Sequence, residues 1–410
     1  TCPEHCFDSR STRFPMEHDP REMAKRICVL RMGFLWYLLP PLPEFLRGLN
    51  ARGCDVTLIK SYPRDRRMPE EQLPEVHNSM IELTARRLPK SRLLEPLVFL
   101  EFTAKCILRC FRARPDVIVA VDVDTLLAAY VASRLRRCPL VFYSLELYTE
   151  RPNIAGKRFW LWLEKTLINK ADLLVTCERN RARVMHEKYG ARTLPMCVLN
   201  VPPYVPAART DVLRRFLASK GVAFRRIALY QGGISPSRCV EEIIQAAVLL
   251  DADTVVVLIG RLAPGYDLDD AIRRYGATGK VFFYGCVESL EALREVTQSA
   301  DIGLQLQYDE GLNSYYCAPG KLFQYLMAGL PVVASNFPGM IEILEREDVG
   351  LCADPRNPRE IADAITRILA DDAVHMRMAE NALRVAREKF CFEIEGAKLL
   401  DAVQQLARRT

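Results

Sequence analysis

Short runs of aliphatic and β-branched residues alternate along this chain with longer stretches whose apolar positions recur every three or four residues. The first kind reads as strands buried on both faces, the second as amphipathic helices that cover them. In the front half the runs are RICVLRM (26–32), CDVTLIK (54–60), DVIVAVD (116–122), PLVFYSLE (139–146) and ADLLVTCE (171–178). Helices are expected around PEFLRGLNARG (43–53) and over Thr125–Arg137, Trp160–Lys170 and Asn180–Tyr189. The prolines of MCVLNVPPYVPAART (196–210) end regular structure, and a domain boundary is placed there, after residue 205.

The rear half restarts the rhythm with RRIALYQGG, DTVVVLIGR, KVFFYGCV, ADIGLQLQY and LPVVASN. Helices are expected over Val240–Leu250, Leu268–Tyr275, Ser289–Ser299 and Lys321–Ala328. The pattern predicts an α/β protein: two Rossmann-like, doubly wound domains, residues 25–205 and 206–385, facing a cleft. Residues 1–24 form a polar lead-in, and a final helix near Glu393–Arg409, within 386–410, is expected to cross back to the first domain. In such sheets ligands bind beyond the carboxyl ends of the strands.

Composition narrows this picture. A chain of 410 residues is too long for one core, and 50% hydrophobic with 26% charged residues is ordinary for packed domains. No run reaches the ~18 uncharged apolar residues of a bilayer span, and the N-terminus lacks the apolar core of a secretory signal. A cytoplasmic protein, free or peripheral on the inner face of the membrane, is expected. The 14 cysteines are scattered rather than spaced as a framework, and Cys106 and Cys110 share one helical face, so reduced thiols are expected. Cys2, His5 and Cys6 lack a second pair of ligands, and no metal is expected.

Charge is uneven: residues 1–200 hold 33 Lys and Arg against 23 Asp and Glu. Residues 81–114 alone carry eight basic and three acidic side chains among large apolar ones. That suits a helix lying on anionic headgroups, or equally a core helix with a solvated basic face. Nucleic acid is not an expected partner, because no recognisable module or interleaved aromatics accompany the charge.

Neither half shows a G-x-G-x-x-G opening a helix or a G-x-x-x-x-G-K-[ST] loop, which argues against nicotinamide, flavin and phosphate-loop kinase chemistry. The informative block is APGKLFQYLMAGLPVVASNFPGMIEILEREDVGLCADP (318–355). Pro319 and Gly320 open a helix whose first turn holds Lys321. Free backbone N–H groups, the positive end of the helix dipole and a cation then converge, as a diphosphate requires. Gln324, one turn on, shares that face and suits ribose hydroxyls.

With its surroundings this block resembles the donor domain of GT-B glycosyltransferases, closest to the retaining family 4, whose members commonly read P-N-K-L-F-E-Y-L-A-A-G-L-P-V-V-A-S. The resemblance extends through YQGGISPSRCVEEIIQAA, VVVLIGRL and VFFYGCV and more faintly through the front half, covering most of residues 27–390. It implies a hexosyltransferase that moves a sugar from a nucleotide diphosphate donor to a glycan or lipid-linked acceptor, with retention and no cofactor. It places Gly232 and Gly233 on a loop close to the donor, Arg238 and Lys321 on the diphosphate as the catalytic cations, and Arg261 at a strand end facing the cleft. Cys286 and Val287 fall where the backbone of relatives contacts the nucleobase.

The chain departs from the family pattern. Two glutamates eight residues apart are replaced by Tyr316 and Gln324, so Glu310, Asn313 and Tyr316 are assigned to a donor-sugar loop. Both histidines usual in the first domain are absent; Asp122, Asp124 and Glu146 remain as cleft carboxylates, acceptor contacts or structural groups alike. Gly33 permits a tight loop beside the cleft, with Phe34 and Trp36 next to it for an apolar acceptor or for core packing. Two rival readings stay open: a nucleotide-sugar 2-epimerase, disfavoured by the missing histidine, and an inactive sugar-nucleotide-binding scaffold.

Overall fold

The computed structural model describes residues 24–33, 41–62, 73–87, 95–287 and 289–409. Strands β1 (Arg26–Arg31), β2 (Asp55–Ser61), β3 (His77–Ile81), β4 (Val117–Val121), β5 (Leu140–Ser144), β6 (Leu173–Thr176) and β7 (Met196–Cys197) form one sheet in the order β3-β2-β1-β4-β5-β6-β7. A second sheet has the order β10-β9-β8-β11-β12-β13, built from β8 (Arg226–Gln231), β9 (Thr254–Ile259), β10 (Val281–Gly285), β11 (Ile302–Gln305), β12 (Val332–Ser335) and β13 (Gly350–Ala353). Neighbouring strands run parallel in both sheets.

The apolar runs dictate this arrangement. Every residue of Val117–Val121 and of Thr254–Ile259 is buried, because helices cover both faces of each sheet. Strand order reverses between β1 and β4 in the first sheet and between β8 and β11 in the second. Two crevices therefore open at the carboxyl ends of these strands, where doubly wound sheets hold their ligands.

The expectation of one continuous helix over 81–114 is corrected. Ile81 ends β3, Thr84–Arg87 form a 3-10 turn, and the helix is Glu95–Ala113. Pro96 is compatible with the first described turn of this helix, where a proline removes only an N–H that has no partner within the helix. The basic residues are also partly used: Lys105 pairs with Glu101 at 2.6 Å and Arg109 donates to Ser79 at 2.6 Å. Phe34, Trp36, Cys2, His5 and Cys6 lie outside the described residues.

The last helix, Phe392–Arg408, packs on the front helix Pro41–Ala51, so closely that a Cβ on Gly48 would lie 2.7 Å from Leu400. The chain thus passes between the lobes twice, and the two passages touch: Phe392 N–H donates to the Pro202 carbonyl at 2.9 Å. Glu393 and Glu395 accept from the amides of Tyr204 and Leu199 at 2.9 and 3.2 Å. Among the described residues no helix is long and apolar enough to cross a membrane.

Candidate active site

The rear crevice is built first by glycine. At the end of β8, Gly232 has φ +152° and donates its N–H to Ile259 at 2.9 Å, while Gly260 donates to Gly285 at 2.8 Å. A Cβ on Gly260 would stand 1.7 Å from the Gly232 carbonyl oxygen, so the loops after β8 and β9 interlock backbone against backbone. Neither glycine carries a side chain, so backbone can approach a ligand there, with the Lys321 ammonium and the Tyr230 hydroxyl beside Gly232.

Lys321 enters from the other side. Its helix, Gly320–Met327, starts after Pro319 in extended conformation, and no side chain caps the first-turn amides. The Lys321 Nζ lies 4.9 Å from the centroid of the Tyr230 ring and 2.9 Å from where a Gly232 Cβ would be. Burial depresses the ammonium to about 8, and the adjacent Arg238 guanidinium pushes it the same way. Arg238 ends the 3-10 turn Pro236–Arg238 and is exposed. Among the described residues neither cation has a carboxylate partner. Two neighbouring cations without a counter-charge create positive potential, which an anion relieves.

A pH signature follows. Lys321 is depressed from 10.5 to about 8, so the free protein bears a cost for the charged form that fades as pH rises from about 8 toward 10.5. A bound diphosphate favours the charged form and pulls the value back up. Affinity for a nucleoside diphosphate is expected to weaken as pH rises above about 8, with proton uptake on binding in that window. Calorimetry in buffers of different ionisation enthalpy measures the uptake; its absence would remove Lys321 from the phosphate site.

The other residues expected on the donor side lie on neighbouring strand ends, loops and helices. Gln324 is half-buried and its oxygen accepts from Gln231 Nε2 at 2.8 Å, while Gln231 accepts from Thr297 at 2.9 Å. This buried relay fixes the Gln324 amide against the helix Leu290–Thr297. Exposed Cys286 and partly buried Val287 follow β10 at the sheet edge, and Arg261 is exposed with its carbonyl accepting from Ile234 at 2.9 Å. Glu310 is exposed, and its N–H is held by Ser314 at 2.9 Å. Asn313 and Tyr316 turn toward the front lobe: the Asn313 side chain accepts from Leu147 N–H at 2.9 Å, and Tyr316 packs on the front core. Tyr230, Gln231, Gly260 and Arg181 were not singled out by sequence. VVVLIGRL did flag the Gly260 strand end and YQGG the segment holding Tyr230 and Gln231, without giving either side chain a role; Arg181 is one of several arginines on its helix.

The front crevice gathers Gly33, Asp122, Asp124 and Glu146 at the ends of β1, β4 and β5. Gly33 donates to Ser61 at 3.1 Å. Asp122 adopts φ 62°, ψ 166°, a region nearly reserved for glycine. Its carboxylate pairs with Arg31 and accepts the amides of Leu145 and Glu146 at 2.9 and 3.3 Å, so its oxygens tie three strand ends together. Asp124 keeps one oxygen buried and without a partner; burial pushes its carboxyl up to about 7 against the pull of Arg31. Glu146 pairs with Arg151 at 3.1 Å on the crevice rim.

Two parallel doubly wound domains, with glycine-walled loops and a buried cation in the rear one, are the architecture of the GT-B glycosyltransferases. The chain belongs to that class: residues 220–385 match the family described as Glycosyl transferases group 1, and residues 43–199 match Glycosyltransferase Family 4. An alpha-D-kanosaminyltransferase of Streptomyces kanamyceticus is 25% identical over 292 residues, 68% of this chain and 73% of that protein. A D-inositol 3-phosphate glycosyltransferase of a Nocardioides species is 26% identical over 269 residues, 59% of this chain and 55% of that protein. Anabaena HepE, solved in complex with UDP and glucose, aligns with a TM-score of 0.71 at 17% identity, covering 93% of this chain and all of that one. WaaG, a glycosyltransferase involved in lipopolysaccharide biosynthesis, aligns at 0.66 and 15% identity, covering 92% of this chain and 99% of that one. At such identities the solved structures establish the shared fold.

Proposed function

We propose that the protein transfers a hexose-type sugar from a nucleoside diphosphate sugar to a glycan or lipid-linked acceptor, with retention of anomeric configuration and without a metal. The observation that carries this reading is that buried Lys321, in the first turn of an uncapped helix, lies close enough to Arg238 for the two charges to repel, with no carboxylate paired to either among the described residues. As the bond from the anomeric carbon to the diphosphate oxygen breaks, negative charge grows on the leaving group. Groups held beside that charge stabilise the transition state more than the ground state. The acceptor oxygen then bonds the anomeric carbon on the face the diphosphate leaves, and its proton passes to a phosphate oxygen.

The complexes of HepE with UDP and UDP-glucose make uridine diphosphate sugars the first donors to try. The test is incubation of labelled UDP-, GDP- and dTDP-sugars with glycans and membrane lipid extract, with the anomeric proton of the product read by NMR. Binding without transfer or hydrolysis of any donor would sink the enzymatic reading, and an inverted product would sink retention.

A lipid-linked acceptor also fits the surface of the front lobe. Leu97, Leu100, Leu108 and Phe111 are exposed on Glu95–Ala113, and Phe159 and Trp162 on the neighbouring helix Lys157–Leu167, beside exposed Lys157, Arg158 and Lys165. Apolar side chains ringed by cations suit the inner face of a membrane rich in anionic lipid. Failure to co-sediment with anionic vesicles at low salt would remove this placement.

A further inference from the structure

The loop between β11 and the Lys321 helix is gripped from both lobes. From the rear domain, Gln307 Nε2 donates to the Ser314 carbonyl at 2.8 Å. From the front domain comes Arg181, on the helix Arg179–Glu187 and only 6% exposed. Its guanidinium donates to the carbonyls of Asn313 and Tyr316, both at 2.5 Å, across the crevice. Its remaining bonds run to the Leu145 carbonyl at 2.8 Å and the Cys177 sulfur at 3.0 Å on its own side. No carboxylate pairs with it among the described residues.

A desolvated arginine with only carbonyl and sulfur partners is costly wherever those partners can move away. Here two of its acceptors belong to the other lobe, so its satisfaction depends on how the lobes stand. Other contacts reinforce the same seam. Leu147 N–H donates to the Asn313 side chain at 2.9 Å, and Gly311, at φ +124°, lies so near the front lobe that a Cβ would approach the Glu150 carbonyl to 2.6 Å. Leu145 and Leu147 flank Glu146 on the acceptor crevice, so the seam joins the acceptor wall to the loop leading to Lys321.

We infer that Arg181 is a positioning residue: it latches the loop Glu310–Tyr316 to the front lobe when the lobes close, setting the donor-sugar loop in place only in the closed form. The inference rests on the transferase reading above. The residues assigned to the diphosphate, Arg238 and Lys321, lie in the rear lobe, so loss of the latch is expected to leave nucleotide affinity intact and to lower turnover. Closure that completes a site in this way spends binding energy on orientation.

The test compares Arg181→Met and Arg181→Lys with the full-length wild type, and adds Gly311→Ala, which loads the seam from the other side. Expected for Arg181→Met is a fall in kcat of roughly 10²-fold, with UDP affinity within about twofold of wild type by calorimetry. Arg181→Lys, which keeps the charge but not the fork, is expected to recover part of the loss, and Gly311→Ala to reproduce it. Small-angle scattering of the UDP-bound proteins is expected to show a larger radius of gyration for Arg181→Met. UDP affinity falling in step with kcat would make Arg181 merely structural, and unchanged kcat would overturn the latch. If the wild type itself transfers nothing, the functional reading fails; the scattering comparison still decides the latch, with equal radii overturning it.

Discussion

Arg238→Ala is expected to lower kcat roughly 10²-fold or more, the usual cost of deleting one preorganised stabiliser of developing charge. The direction follows from the electrostatics: Arg238 lies close enough to Lys321 to depress it, and neither has a carboxylate partner among the described residues, so no second exposed cation beside Lys321 replaces the lost charge. Removing Arg238 also lifts one of the two influences that depress Lys321, so that ammonium should titrate higher in the variant. Lys321 at about 8 is already mainly charged near neutral pH, so this rise matters only above pH 8, and the deficit is expected in turnover. Steady-state kinetics with the identified donor measures it. Kinetics identical to wild type would take Arg238 out of the mechanism.

Gly260→Ala is expected to damage the rear lobe severely. The added Cβ would meet the Gly232 carbonyl oxygen at 1.7 Å, a backbone atom that cannot rotate aside, at a φ of +142°. Backbone strain of this kind alone costs about 1–3 kcal/mol, and relieving the clash means parting the two loops that wall the phosphate pocket. We expect a stability loss of at least about 3 kcal/mol, or a folded protein whose UDP affinity has fallen more than about tenfold, equivalent to ~1.4 kcal/mol. Gly233→Ala is the control for folding, since nothing lies within 4 Å of its Cβ position. Thermal denaturation and nucleotide titration that both match wild type at Gly260→Ala would refute the interlock.

Much of this architecture could be read from the chain because parallel strands buried on both faces leave an unbroken apolar run. The runs ending in Arg31, Val121, Gln231 and Ile259 are strands for that reason, and the boundary near Pro202 follows from proline chemistry. Strand β3, His77–Ile81, escaped notice because it is a partly exposed edge strand, polar at its start, and carries no such run. The Lys321 helix start was visible, since Pro319, Gly320 and Lys321 adjoin in sequence. The Arg181 seam was not: its partners lie more than a hundred residues away and are backbone carbonyls, which every residue type supplies. Asp122 shows the same limit on the acceptor side, where a carboxylate expected in the cleft is occupied by Arg31 and two amides.

The two strands of chain that pass between the lobes at Pro202 and Phe392 act together as a pivot. A single tether would let one lobe swing and twist freely about the other. Two tethers fastened side by side, as the bond between Phe392 and Pro202 fastens these, resist twisting and leave rocking about the line through them as the soft motion. Such rocking moves the jaws in proportion to their distance from the pivot, so small adjustments around residues 199–204 and 391–395 translate into the gape at the mouth.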